Sequence, residues 1–181
     1  MEYESRDFYF LDETLFNKVH KNWVRNRFLT PLEFVMVIRW KSNRSIAIIR
    51  RAFKKEGIRA FTHALNDAVT SGNEQALIDL YDELRKKNNG LRVRIFSAFL
   101  AVRAPEKYPV FDQRIFYELR PAFKNRKTFP DDKIRWYFQT FAPKVRELAR
   151  NNNPPLSLRE FDELYWGKSI EKTLGKYAAG R

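Results

Sequence analysis

Cysteine is absent from the 181 residues. Without thiols, disulfides, thiolate-ligated zinc and iron–sulfur clusters are all excluded. The two histidines, His20 and His63, are far apart and have no partner at ligand spacing, so no metal and no cofactor is expected. Glycines number six, and the eight prolines fall at a few places, leaving long stretches for uninterrupted helix. No apolar run approaches the roughly 20 residues that a membrane-spanning helix needs. Residues 1–7, Met-Glu-Tyr-Glu-Ser-Arg-Asp, are acidic and lack an apolar signal core. The expectation is a cytoplasmic protein, or a nuclear one in a eukaryote.

What the chain has in excess is positive charge. Lysine and arginine number 35 against 22 acidic residues, a net charge of +13. The excess is spread along the chain. Apolar residues make up 44% and aromatics 15%, enough for a buried core. A compact domain with this charge attracts polyanions, of which nucleic acid is the commonest. The plainer reading is a solvated basic surface that maintains solubility. An anionic membrane is disfavoured, because no helix is basic on one face and freely apolar on the other.

Apolar spacing is helical almost throughout. Phe16, Val19 and Trp23 fall at i, i+3 and i+7. Thr30-Pro31-Leu32-Glu33 reads as a helix start, with Thr at the N-cap, Pro at N1 and Glu at N3. A second apolar stripe holds Ile46, Ile49 and Phe53, and Gly57 is expected to separate it from a short helix over 59–69. Residues 74–87 place Leu77, Leu80, Tyr81 and Leu84 on one face and stop at Asn88-Asn89-Gly90. The next segment, 91–102, is apolar nearly all round and belongs at the centre of a fold. A helix is expected from about Asp112 to Leu119. A further helical stretch from Asp131 is interrupted by Pro143, which predicts a kink or two short helices. Ser157-x-x-Glu160 is a capping box for a last helix with Phe161, Leu164 and Tyr165 turned inward. The fold class is all-α: one compact helical domain over 1–167, either a single body or two lobes with a cleft between them, followed by a frayed tail over 168–181.

The stretch from Asn88 to Arg114 contains a helix ending in a glycine turn, a buried helix, a proline loop and an aspartate that opens the next helix. Within it, Tyr108-Pro109-Val110-Phe111-Asp112-Gln113-Arg114 resembles the segment that sets the essential aspartate of the helix-hairpin-helix DNA glycosylase superfamily. Two outer stretches resemble a poorly characterised branch of such proteins. They are Phe28-Leu29-Thr30-Pro31 followed by Arg39-Trp40-Lys41-Ser42, and Leu158 to Trp166. The resemblance implies the helix-hairpin-helix glycosylase fold, duplex DNA as partner, and Asp112 as catalytic residue. Gly90 matches the first glycine of the hairpin, and Arg92 stands at the second. Arg94 stands where bifunctional members carry the lysine that attacks the sugar. Arginine stays protonated and forms no Schiff base, so no lyase activity is expected.

The resemblance therefore implies a monofunctional N-glycosylase that removes a modified base, with Asp112 stabilising the sugar cation and positioning water. Gly90, Arg92, Arg94, Arg114, Arg39, Lys41, Lys124, Arg126 and Lys127 are candidate DNA contacts. Trp40, Tyr108, Phe111, Trp136 and Trp166 are candidates for a base pocket or wedge. Plainer roles exist for each. Asp112 reads equally as an N-cap, and the tryptophans as core. The alternatives are a non-catalytic DNA-binding module on the same fold, and a basic helical domain that binds RNA or protein.

Overall fold

The computed structural model describes residues 12–41, 55–87 and 91–178, with side chains over 12–41, 57–87 and 91–169. The stripe expected at Ile46 to Phe53 and the hairpin glycine Gly90 lie outside those residues. Among the described residues every regular element is helical. A wide π-helical turn (Thr14–Val19) runs into α1 (His20–Asn26) and is followed by α2 (Pro31–Lys41), α3 (Lys55–Ser71), α4 (Glu74–Lys87) and α5 (Val93–Arg103). Then come α6 (Gln113–Glu118), a 3₁₀ turn (Arg120–Phe123), the single turn α7 (Ile134–Trp136), a second π-helical turn (Tyr137–Phe141), α8 (Ala142–Arg150) and α9 (Leu158–Ala178).

The predicted caps are present. Thr30 N–H donates to Glu33 Oε2 at 2.9 Å, and Glu33 N–H donates to Thr30 Oγ1 at 3.3 Å. The same reciprocal pair joins Ser157 and Glu160 at the start of α9, at 2.8 and 3.2 Å. Each box satisfies amide donors that a helix start otherwise leaves unpaired.

Helix α5 is the axis of the molecule. From Ile95 to Val102 every side chain is buried, and the helix packs against the N-terminal π-turn, α1, α2 and α3. Phe99 stacks on Phe34 at 5.0 Å between centroids and meets Phe61 edge-on at 5.5 Å. Burying each such ring contributes about 1.5–3 kcal/mol, which outweighs any single polar contact here. Polar staples hold the surrounding helices in register. Trp23 Nε1 donates to the Thr62 carbonyl at 3.2 Å, and Leu29 N–H donates to Thr62 Oγ1 at 3.0 Å. A second aromatic cluster forms around Phe111, Phe116, Phe123 and Phe141.

Four expectations are corrected. Gly57 does not separate two helices, because α3 begins at Lys55 and runs through it. One glycine costs a helix only about 1 kcal/mol, less than the buried face of Ile58, Phe61 and Leu65 contributes. Leu164 is 38% exposed, because the buried stripe of α9 runs through Leu158 and Phe161. The helix continues past Gly167 to Ala178, where a frayed tail is expected. Tyr108 and Phe111 are 1% and 0% exposed and belong to the core, so neither ring is presented at the surface for a base to stack on or as a wedge. The interruption expected at Pro143 takes the form of the wide turn before α8. Pro143 lies in the first turn of α8, where its missing N–H costs nothing.

Candidate functional site

The loop before Asp112 is fastened at three points. Phe111 N–H donates to Ser97 Oγ at 2.9 Å, Tyr137 OH donates to the Pro109 carbonyl at 2.8 Å, and Arg146 Nη1 donates to the Lys107 carbonyl at 2.9 Å. Ser97 sits on the central helix and in turn donates to the Arg94 carbonyl at 3.0 Å. The aspartate is therefore delivered at a fixed place. It has extended backbone, and its Oδ1 accepts the Arg114 amide at 2.7 Å as the N-cap of α6.

Its second oxygen, Oδ2, accepts the Lys41 ammonium from the end of α2. The two side chains are only 9% (Lys41) and 21% (Asp112) exposed. Burial by itself raises the pKa of Asp112. The Lys41 charge and hydrogen bond, with the Arg114 and Ile115 amides, outweigh it and hold the carboxyl below the usual carboxylate range.

This pair is part of a larger charge cluster. The Arg159 guanidinium on α9 donates to both oxygens of Asp12, at 2.6 and 3.2 Å, and to Asp162 Oδ2 at 2.8 Å. Trp40 Nε1 donates to Asp12 Oδ1 at 3.0 Å. The guanidinium also lies over the rings of Phe16 and Trp40, at 5.1 and 5.6 Å. Burial pushes the Asp162 carboxyl up to about 6, against the pull of Lys41 and Arg159 and with a push from Asp112 and Asp12. Residues far apart in sequence, from α2, the start of α6 and α9, thus meet here. A cavity of about 10 Å³, lined partly by Phe16, Tyr108, Arg159 and Asp162, lies beside the cluster and has room for one water.

Asp12, Arg159 and Asp162 are absent from the sequence-based candidates, yet a signal exists. Phe34, Val37, Ile38 and Lys41 share one helical stripe, as do Leu158, Phe161, Asp162 and Tyr165. A charged residue on an otherwise apolar stripe must find an inward partner, and Lys41 and Asp162 both do.

A second constellation lies where α4 ends and α5 begins. Asp131, from the loop before α7, accepts the Arg94 amide on Oδ1 at 3.0 Å and the Val93 amide on its carbonyl at 2.9 Å, so it caps α5 from outside. Its Oδ2 lies 3.2 Å from Arg94 Nε. Arg85 donates to the Asp132 carbonyl at 2.7 Å. Arg92, Lys86 and Lys87 are exposed beside these contacts. A solvent-open groove of about 410 Å³ adjoins them, lined by Asp82, Arg126, Asp132, Lys133, Arg135 and Trp136 among others. The Arg126 guanidinium stands 5.3 Å from the Trp136 ring centroid.

The remaining candidates are dispersed. Arg39 and Arg114 are exposed, on α2 and α6. Lys124 and Lys127 are exposed on the loop that carries Arg126. Trp40 is 7% exposed and belongs to the charge cluster, while Trp166 is 38% exposed on α9. Among the described residues no cluster of His, Asp and Glu could hold a metal ion, and no helix is long and apolar enough to cross a membrane. No family model, no curated protein and no solved structure matches this chain.

Proposed function

We propose that the protein binds DNA through the basic end formed by the α4–α5 junction and the groove beside Trp136. The observation that carries this reading is convergence. Arg85, Arg94, Arg126, Lys133 and Arg135, from segments distant in sequence, come together around Asp131, Asp132 and Trp136. Surface lysines kept for solubility need not converge, whereas a polyanion site requires several cations within reach of successive phosphates. The test is fluorescence anisotropy with a labelled duplex across a salt series. The expected log–log slope is on the order of −4, as for a handful of displaced counterions. Salt-insensitive binding, or none, would sink the proposal.

A second reading is monofunctional base excision at Asp112, which its ionised carboxylate supports. Such a group can stabilise an oxocarbenium-like sugar. In the resting arrangement both oxygens are engaged, by Lys41 and the Arg114 amide, so catalysis requires Lys41 to release Oδ2. Base release from duplexes bearing assorted lesions, comparing wild type with Asp112→Asn, tests it. An inert wild type across a broad panel counts against catalysis and leaves the binding proposal intact.

A further inference from the structure

The groove beside Trp136 differs from a plain phosphate-binding surface. It mixes cations, an aromatic ring and two carboxylates. Lys133 and Arg135 are exposed on its lining, with Arg126 half-buried over the indole. Asp132 is engaged by Lys133 at 3.3 Å and by Arg85 at 3.8 Å. Asp82 is half-buried, and among the described residues no side chain pairs with it. A carboxylate repels phosphate and accepts hydrogen bonds only, so a groove built solely for a duplex backbone has no use for Asp82. The exposed edge of an unpaired base, with its N–H donors, does use it.

Resting on the DNA-binding reading above, we propose that this groove holds one unpaired nucleotide of a single-stranded DNA segment next to the duplex. Its base lies on Trp136, its donor edge faces Asp82, and its phosphates face Lys133 and Arg135. Guanine is the base that fits best, because its adjacent N1–H and N2–H₂ donors can reach both oxygens of one carboxylate. The volume of about 410 Å³ lies in the range of small-ligand sites.

Trp136 is anchored for this role. Its ring packs on Phe123 at 5.4 Å and Phe116 at 6.0 Å, which fixes it as a platform. Arg126 is the cover. A base sandwiched between ring and guanidinium needs two van der Waals layers, about 7 Å, against the 5.3 Å present. The guanidinium must withdraw by about 2 Å. Its side-chain hydrogen bond, to the Thr128 carbonyl, is a long one at 3.3 Å, so little opposes the movement.

The experiment compares four labelled duplexes: blunt, and with a one-nucleotide overhang of guanine, hypoxanthine or thymine. The expected order is guanine tightest and blunt weakest, with a stacking gain of roughly 5-fold or more. Hypoxanthine, which lacks the N2 amine, falls between. Asp82→Ala is expected to erase the guanine preference, read as the ratio of guanine-overhang to thymine-overhang affinity within the same variant, and Trp136→Phe to reduce the overhang gain. If Trp136→Phe loses its fold, 2-aminopurine placed in the overhang replaces it as the readout, with quenching on binding expected for a stacked base. Equal affinity for blunt and overhung duplexes, or no quenching, overturns this inference and leaves the DNA-binding reading standing. Absence of binding to any duplex overturns both. Tighter binding of the same strand as RNA overturns the assignment to DNA.

Discussion

The Lys41 ammonium, at the end of α2, forms an ion pair with Asp112, 71 residues further along the chain. Because both side chains are largely buried, removing one partner strands the other's charge in a poorly solvated place. Asp112→Ala also loses the N-cap of α6. The expected destabilisation is about 3 kcal/mol for the stranded charge and about 1 kcal/mol for the cap, measured by denaturant unfolding. The double variant Lys41→Met/Asp112→Asn should lose less than the sum of its single variants. Strict additivity would mean that the pair carries no coupling energy.

Asp162 predicts a pH dependence of stability. Its folded pKa of about 6 lies above its ordinary 3.8, so the folded state holds the proton more tightly than the unfolded chain. The stability this contributes is full below about 3.8 and is lost as pH rises to about 6. The difference in unfolding free energy between wild type and Asp162→Asn should therefore fall across that window. Asp112 acts with the opposite sign, losing its contribution as pH falls below the ordinary range. A flat difference between wild type and Asp162→Asn would contradict the assignment.

The basic end predicts which charges matter for DNA. Replacing Lys133 and Arg135 together by glutamine should weaken duplex binding several-fold and reduce the magnitude of the salt slope by roughly 2. Lys21 is exposed on α1, which takes no part in this end, and Lys21→Gln should leave the slope unchanged. Equal effects from both substitutions would mean that binding is spread over the whole surface.

Ser97 predicts a coupling between the central helix and the Asp112 loop. In Ser97→Ala the buried Phe111 amide loses its acceptor, at a cost of about 1–3 kcal/mol. Hydrogen exchange at Phe111 should accelerate more than at Phe99 in the middle of α5. Unchanged protection at Phe111 would show that the loop is held by its other two fastenings.

Much of the fold was legible because its signals are local. Both capping boxes, the wholly apolar central helix and the aspartate opening α6 depend on residues a few positions apart. Gly57 misled for a tertiary reason, since the buried face of α3 compensates for one weak helix former. The charge cluster was legible only in fragments. Lys41 and Asp162 stand on apolar stripes, which signals an inward partner but does not name it. The pairing of Asp12 with Arg159 spans 147 positions and leaves no periodic trace. Asp131 is likewise read locally as a helix-start acid, yet the helix it caps is α5, 37 residues upstream.

The bond from Arg159 to Asp12 also sets an order of events during synthesis. Until α9 has left the ribosome, Asp12 has no guanidinium, and the indole N–H of Trp40 and the ammonium of Lys41 gather around carboxylates with fewer cations than they need. The earlier helices can collapse around α5, but the acidic side of the cluster stays uncompensated. A nascent chain that stops before α9 should thus be cut by proteases more readily over residues 12–41 than one that includes it.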